Sequence, residues 1–190
     1  MEDTFSDISL IEKEFENLIL TSKFYINNRH EEGLSILKNN MEVLNHKMNT
    51  IVIHSKEEDD PSTIMCLNIL KKVIFKLDTT IQLFGRIKSI KPIYKQLDIP
   101  MMVDTVIGGI RSLIYFISDK EPINVDKLVS DLQTIEALED QNKRILMTYL
   151  MQDWDNLNEV LVLMKIGEIY KTISGELVNT FLLMNSSEVQ

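Results

Sequence analysis

Three histidines, one cysteine and one tryptophan are the side chains of this chain best suited to site chemistry. Their spacing limits what they can do. His46 and His54 stand eight residues apart, so on a helix they share a similar face, and Glu42 precedes His46 by one turn. Glu42 and His46 can form the edge of a metal site, but two ligands are too few for zinc, so the pair is expected on a solvated helix face. Cys66 lies among Ile64, Met65, Leu67 and Ile69. It lacks the cationic neighbours that turn a thiol into a nucleophile, and is expected to be a small core hydrophobe. There is no glycine-rich phosphate loop, no Gly-x-Ser-x-Gly elbow and no His-Glu-x-x-His helix. With none of these signatures the chain is read as non-enzymatic, without a cofactor.

Binding chemistry has better candidates. Trp154 sits in the connection Gln152-Asp153-Trp154-Asp155. It either plugs the end of a helical bundle or, if exposed, offers a partner an aromatic anchor. Tyr94 and Tyr170 join it as partner-binding candidates by residue type alone. Arg86, Lys88, Lys91 and Lys95 are interleaved with Ile87, Ile90, Ile93 and Tyr94. They make a short basic run that is either a solvated linker or a contact for anionic lipid or an acidic partner. The ten methionines are spread over several segments and read as core filler, with a promiscuous binding groove as the alternative.

The elements that must position these residues are helices. Leu34, Leu37, Met41, Leu44, Met48 and Ile51 recur every three or four positions, which is one helix stripe. Helices are expected over about 7–26, 31–54, 61–87, 101–118, 125–151 and 156–184, with Pro61 opening the third in its first turn. No stretch alternates with period two, so the fold class is all-α. Gly108-Gly109 interrupts the fourth helix, and close packing of a neighbouring helix is the expected compensation.

The six helices read as two copies of three. At an offset of 92, Leu10, Phe15, Leu18 and Phe24 meet Met102, Ile107, Ile110 and Phe116. At 94, Leu34, Met41 and Leu44 meet Leu128, Ile135 and Leu138; at 93, Leu67, Leu70, Val73 and Phe84 meet Val160, Leu163, Ile166 and Leu177. Two tandem pseudo-repeat three-helix bundles, 1–90 and 91–190, are expected, packed separately or as one domain, with 88–100 as the joint.

Composition excludes other classes. A net charge of −9 argues against nucleic acid, because a phosphate backbone needs a dense basic face. No uninterrupted apolar run approaches the roughly 20 residues of a membrane-spanning helix, and the acidic start Met1–Asp7 lacks the basic region of a signal peptide. A cytoplasmic location is the expectation, and a single cysteine fits a reducing compartment.

The stretch Ile135-Glu-Ala-Leu-Glu-Asp-Gln-Asn-Lys-Arg-Ile145, a short acidic turn, and a long helix carrying Glu168-Ile-Tyr-Lys-Thr-Ile-Ser-Gly-Glu-Leu177 together resemble the PhoU domain. Met41-Glu-Val-Leu-Asn-His-Lys-Met48 and Asp60-Pro61 are similar to that family's other repeat. The resemblance covers nearly the whole chain. It implies two tandem three-helix bundles and a cytoplasmic regulator without catalytic activity, coupling a phosphate transporter to a sensor kinase. Many members bind iron or zinc through Glu/Asp-x-x-x-Asp motifs on the third helix of each repeat. Here Glu168 fits the first acidic position of the second repeat, but Thr172 stands where the aspartate belongs. In the first repeat Ile74 or Phe75, then Asp78 or Thr79, fall on the two positions. Glu136 and Asp140 form a Glu-x-x-x-Asp pair on the preceding helix. Glu136, Asp140 and Glu168 are the metal candidates that the resemblance leaves. They are too few for a hard cation, and a metal-free member is expected.

The expected function is a regulatory adaptor acting by contact with a transporter or signalling protein, with peripheral contact with membrane proteins and a homodimer both compatible. The alternative is a helical-bundle interaction protein of another origin, a viral or host-defence modulator or a chaperone, holding a partner helix in an apolar groove.

Overall fold

A computed structural model describes residues 13–15, 17, 31–55, 61–87, 92–119, 123–152 and 154–187. Among the described residues the fold is an all-α bundle of six helices. Residues 13–15 and 17 are the described part of α1. They are followed by α2 (Glu31–Ser55), α3 (Pro61–Arg86), α4 (Ile99–Asp119), α5 (Val125–Gln152) and α6 (Leu157–Ser187), with 3-10 turns at Pro92–Gln96 and Trp154–Asn156. No strand occurs among the described residues. The expected turn at 27–30, the acidic stretch 57–60 and the basic residues Lys88 and Lys91 lie outside the described residues, as do the ends of α1.

Local chemistry sets the helix ends. Pro61 opens α3, where its missing N–H costs no helical bond, and Arg86 in the last turn faces the negative end of the helix dipole. Asn124 caps α5, its Oδ1 accepting from the Lys127 amide at 2.9 Å. α4 starts two residues earlier than its apolar pattern suggests. The Asp98 carbonyl accepts from the Met102 amide at 3.0 Å, so Pro100 falls inside the first turn rather than before it.

The stripes then fold onto one another. α6 packs against α3, α4 and α5, and α2 lies on α3. A single buried cluster runs through Phe15, Leu37, Met41, Leu44, Leu70, Val73, Leu113, Ile135, Ile166, Ile173 and Phe181. Cys66 is fully buried in it, with its sulfur 3.5 Å from Met184 Sδ. Buried threonines bond back along their own helices, Thr80 to the Lys76 carbonyl and Thr180 to that of Glu176, so neither hydroxyl is left bare. By length and composition Ile99–Ile117 of α4 could cross a bilayer, with mean hydropathy 1.3, yet half of it is buried against the other helices.

The adjacent glycines of α4 behave differently. A Cβ at Gly109 would stand 2.9 Å from Leu177 Cδ1, so a side chain there must displace that buried leucine methyl. At Gly108, and at Gly175 of α6, a Cβ meets nothing within 4 Å. Close packing therefore explains only one of the pair. Gly108→Ala and Gly175→Ala are each expected to raise the unfolding free energy by about 1 kcal/mol through helix propensity. Gly109→Ala is expected to lower it by about 1 kcal/mol, because displacing buried Leu177 outweighs that gain. Urea unfolding of the three variants checks the signs.

Candidate functional site

α5 and α6 form an antiparallel hairpin, and several large apolar side chains are exposed at its closed end. The turn Trp154–Asn156 joins the two helices, with Asn156 buried. The indole itself is 67% exposed. It is not the plug at the bundle end that was one of its two expected roles. On α5, Met147 and Met151 follow each other by one turn, and Met151 is 76% exposed. On α6, Leu157 and Leu161 do the same, both exposed. Glu139 of α5 lies against Gly167 of α6, and this register brings Met147 opposite Leu161 and Met151 opposite Leu157. Five large apolar side chains thus share one end of one hairpin. Exposed singly they would mean little, but gathered at one end of one hairpin they mark a candidate interaction surface.

On another face of α5 a shallow hollow of about 420 Å³ is lined by Ile93, Gln96, Arg144, Ile145, Thr148, Tyr149 and Gln152. Its other wall is the 3-10 turn Pro92–Gln96, which belongs to the expected joint. That turn is pinned: the Tyr94 hydroxyl donates to Glu159 Oε2 of α6, and the Asp98 amide donates to Asn142 Oδ1 of α5 at 2.9 Å. Gln141 Nε2 reaches Asp98 Oδ2 at 3.1 Å. Tyr94 is therefore half-buried and bonded within the chain, at the edge of the hollow. Tyr170 lies in the core, 2% exposed, out of reach of any partner in this conformation.

Farther along the hairpin the surface becomes charged. Glu139 is 2% exposed, yet its carboxylate is paired: Lys143 Nζ closes on Oε1, and Lys171 Nζ stands 3.6 Å from Oε2. Lys171 is also 3.8 Å from Glu136, and Lys165 pairs with Glu168 at 2.8 Å. The Glu139 contact holds the Lys143 ammonium above its ordinary pKa. The hydrogen bond from Lys165 holds the Glu168 carboxyl below its own. Two of the three metal candidates, Glu136 and Glu168, therefore face ammonium groups, and Asp140 is exposed beside them. Among the described residues no group of three or more His, Cys, Asp or Glu side chains could hold a metal ion. His46 and Glu42 are exposed on α2.

No protein-family model and no curated protein matches this chain. Function must be argued from the surface itself.

Two of these features were invisible in the sequence. Met147 and Met151 each follow a leucine, Leu146 and Leu150, and only the fold shows that the leucine of each pair is buried. The buried glutamate falls on the stripe Ile135, Glu139, Asn142, Leu146, Leu150, but its charge reads as a surface residue. Glycine at position 167 was the available hint, since a Cβ there would stand 3.4 Å from Glu139 Cγ.

Tyr170 sets an alkaline limit on this hairpin. Burial holds its phenol protonated well above the ordinary pKa of 10.0. Below pH 10 its contribution to stability is fully present. Above it the unfolded chain ionises Tyr170 while the folded chain does not, so stability falls by about 1.4 kcal/mol per pH unit until the folded pKa is passed. Urea unfolding between pH 9.5 and 11.5 should show a shallower fall for Tyr170→Phe than for the parent. Parallel slopes would contradict it.

Proposed function

We propose that this protein is a non-catalytic regulatory adaptor that works by binding a partner protein through the closed end of the α5–α6 hairpin. The observation that carries the reading is the exposure of Met147 and Met151 on α5, Trp154 on the turn, and Leu157 and Leu161 on α6, all at one end of the hairpin. Tryptophan and methionine are residue types that interface cores favour. The resemblance to the PhoU domain supports a transporter or its signalling protein as the partner, with 1–90 and 91–190 as pseudo-repeats of one three-helix unit. Leu67 with Val160, Leu70 with Leu163, Val73 with Ile166 and Phe84 with Leu177 are buried in pairs, which supports that part of the reading, while Ile64 with Leu157 and Leu77 with Tyr170 differ in burial. The reading calls for no metal, and two of the acidic candidates, Glu136 and Glu168, stand beside lysines.

Affinity capture from cells that express the protein natively, run in parallel with the parent and with Met151→Asp/Trp154→Ala, tests the reading. A transport or signalling protein should be retained by the parent and lost from the double variant. Identical captures would remove the hairpin end from the account.

A further inference from the structure

Among the helices described along their length, α3 alone carries more basic than acidic side chains: Lys71, Lys72, Lys76 and Arg86 against Asp78. The chain as a whole has a net charge of −9, so this helix is a local reversal of sign. Lys71 and Lys72 are exposed, and one turn on stands Phe75, 69% exposed. Asn68, Lys71, Lys72, Phe75 and Lys76 line a hollow of about 590 Å³. Lys76 is held at one flank by Glu176 of α6, Nζ to Oε1 2.9 Å. This pair and the contact of Cys66 with Met184 run α6 antiparallel to α3. Leu183, two turns beyond Glu176 on the same face of α6, is exposed and extends the apolar side of the strip.

From this arrangement we propose that the outer face of α3 docks an acidic, amphipathic segment of a partner protein. Phe75 enters the apolar side of that segment, and Lys71 and Lys72 pair with its carboxylates. Charge complementarity selects the occupant. Nucleic acid would need several more phosphate contacts than two unengaged lysines supply. An anionic bilayer would gain about 1 kcal/mol from each lysine near it, against repulsion by the acidic remainder of the chain, and a flat surface would leave the hollow empty. The face lies apart from Trp154 and does not depend on the docking assigned to the hairpin end.

The test is fluorescence anisotropy of a labelled synthetic helix of about 20 residues, with glutamates on one face and leucines on the other, titrated with the full chain. Binding is expected, weakened at least about ten-fold by Phe75→Ala and by Lys71→Glu/Lys72→Glu, unchanged by Trp154→Ala, and reduced as salt rises. A peptide with lysine in place of glutamate should not bind. Phe75→Ala removes only an exposed ring, so its unfolding midpoint should match the parent and its binding loss can be read directly. The proposal is overturned by no binding at about 1 mM protein, by equal binding of the lysine peptide, or by affinity unaltered in both variants. It is also overturned if phosphatidylserine vesicles sediment the parent but not Lys71→Glu/Lys72→Glu while the acidic peptide stays free.

Discussion

Replacing Trp154 by alanine is expected to weaken partner binding by about 100-fold while leaving the unfolding midpoint unchanged. The size follows from what the indole does in each state. Free, it is 67% exposed and contributes little packing, so its loss opens no cavity in the fold. Bound, it would be the largest apolar side chain in the contact, ringed by Met147, Met151, Leu157 and Leu161, and truncation of such an anchor costs about 2–4 kcal/mol. Met151→Asp should act as strongly by another route, because it places a charge in the apolar patch with no cation provided to meet it. Titration calorimetry or anisotropy with the captured partner measures both. A change of less than about three-fold for Trp154→Ala would mean that the ring is exposed for some other reason.

The second large effect concerns stability. Lys143→Met/Lys171→Met removes both cations from the buried Glu139 and is expected to cost about 3 kcal/mol at pH 7. The asymmetry of exposure fixes the sign: both lysines keep water, while the carboxylate at 2% exposure cannot regain its own hydration. Adding Glu139→Leu to the double variant should restore most of the loss, since an apolar side chain of similar bulk fills the space beside Gly167 and Met102 without a charge to compensate. Urea unfolding of the parent, double and triple variants provides the comparison. A double variant as stable as the parent would show that water reaches Glu139.

How far the sequence reaches can be seen residue by residue. Pro61 and the stripe Leu37, Met41, Leu44, Met48 mark where α2 and α3 run, because helix ends and apolar period are local properties. Pro100 misleads as a boundary, since a proline is tolerated within a first turn as readily as before it. The hairpin end is harder for a different reason. Leu146-Met147 and Leu150-Met151 place apolar side chains on two adjacent faces, and local pattern alone does not say which face meets α6. Tyr170 and Trp154 show the same gap from opposite sides. Both are aromatic on a helix or at its border; the neighbours brought by α3 and α4 put one in the core, and the turn at the bundle's edge leaves the other in water.

The most direct test of a docking surface at the end of α5–α6 is photocrosslinking in native cells, with a benzophenone amino acid in place of Trp154 and, separately, of Val43, an exposed apolar residue on α2. The account predicts one discrete protein adduct from position 154 and none from position 43. No adduct at 154, or the same adducts from both positions, would contradict it.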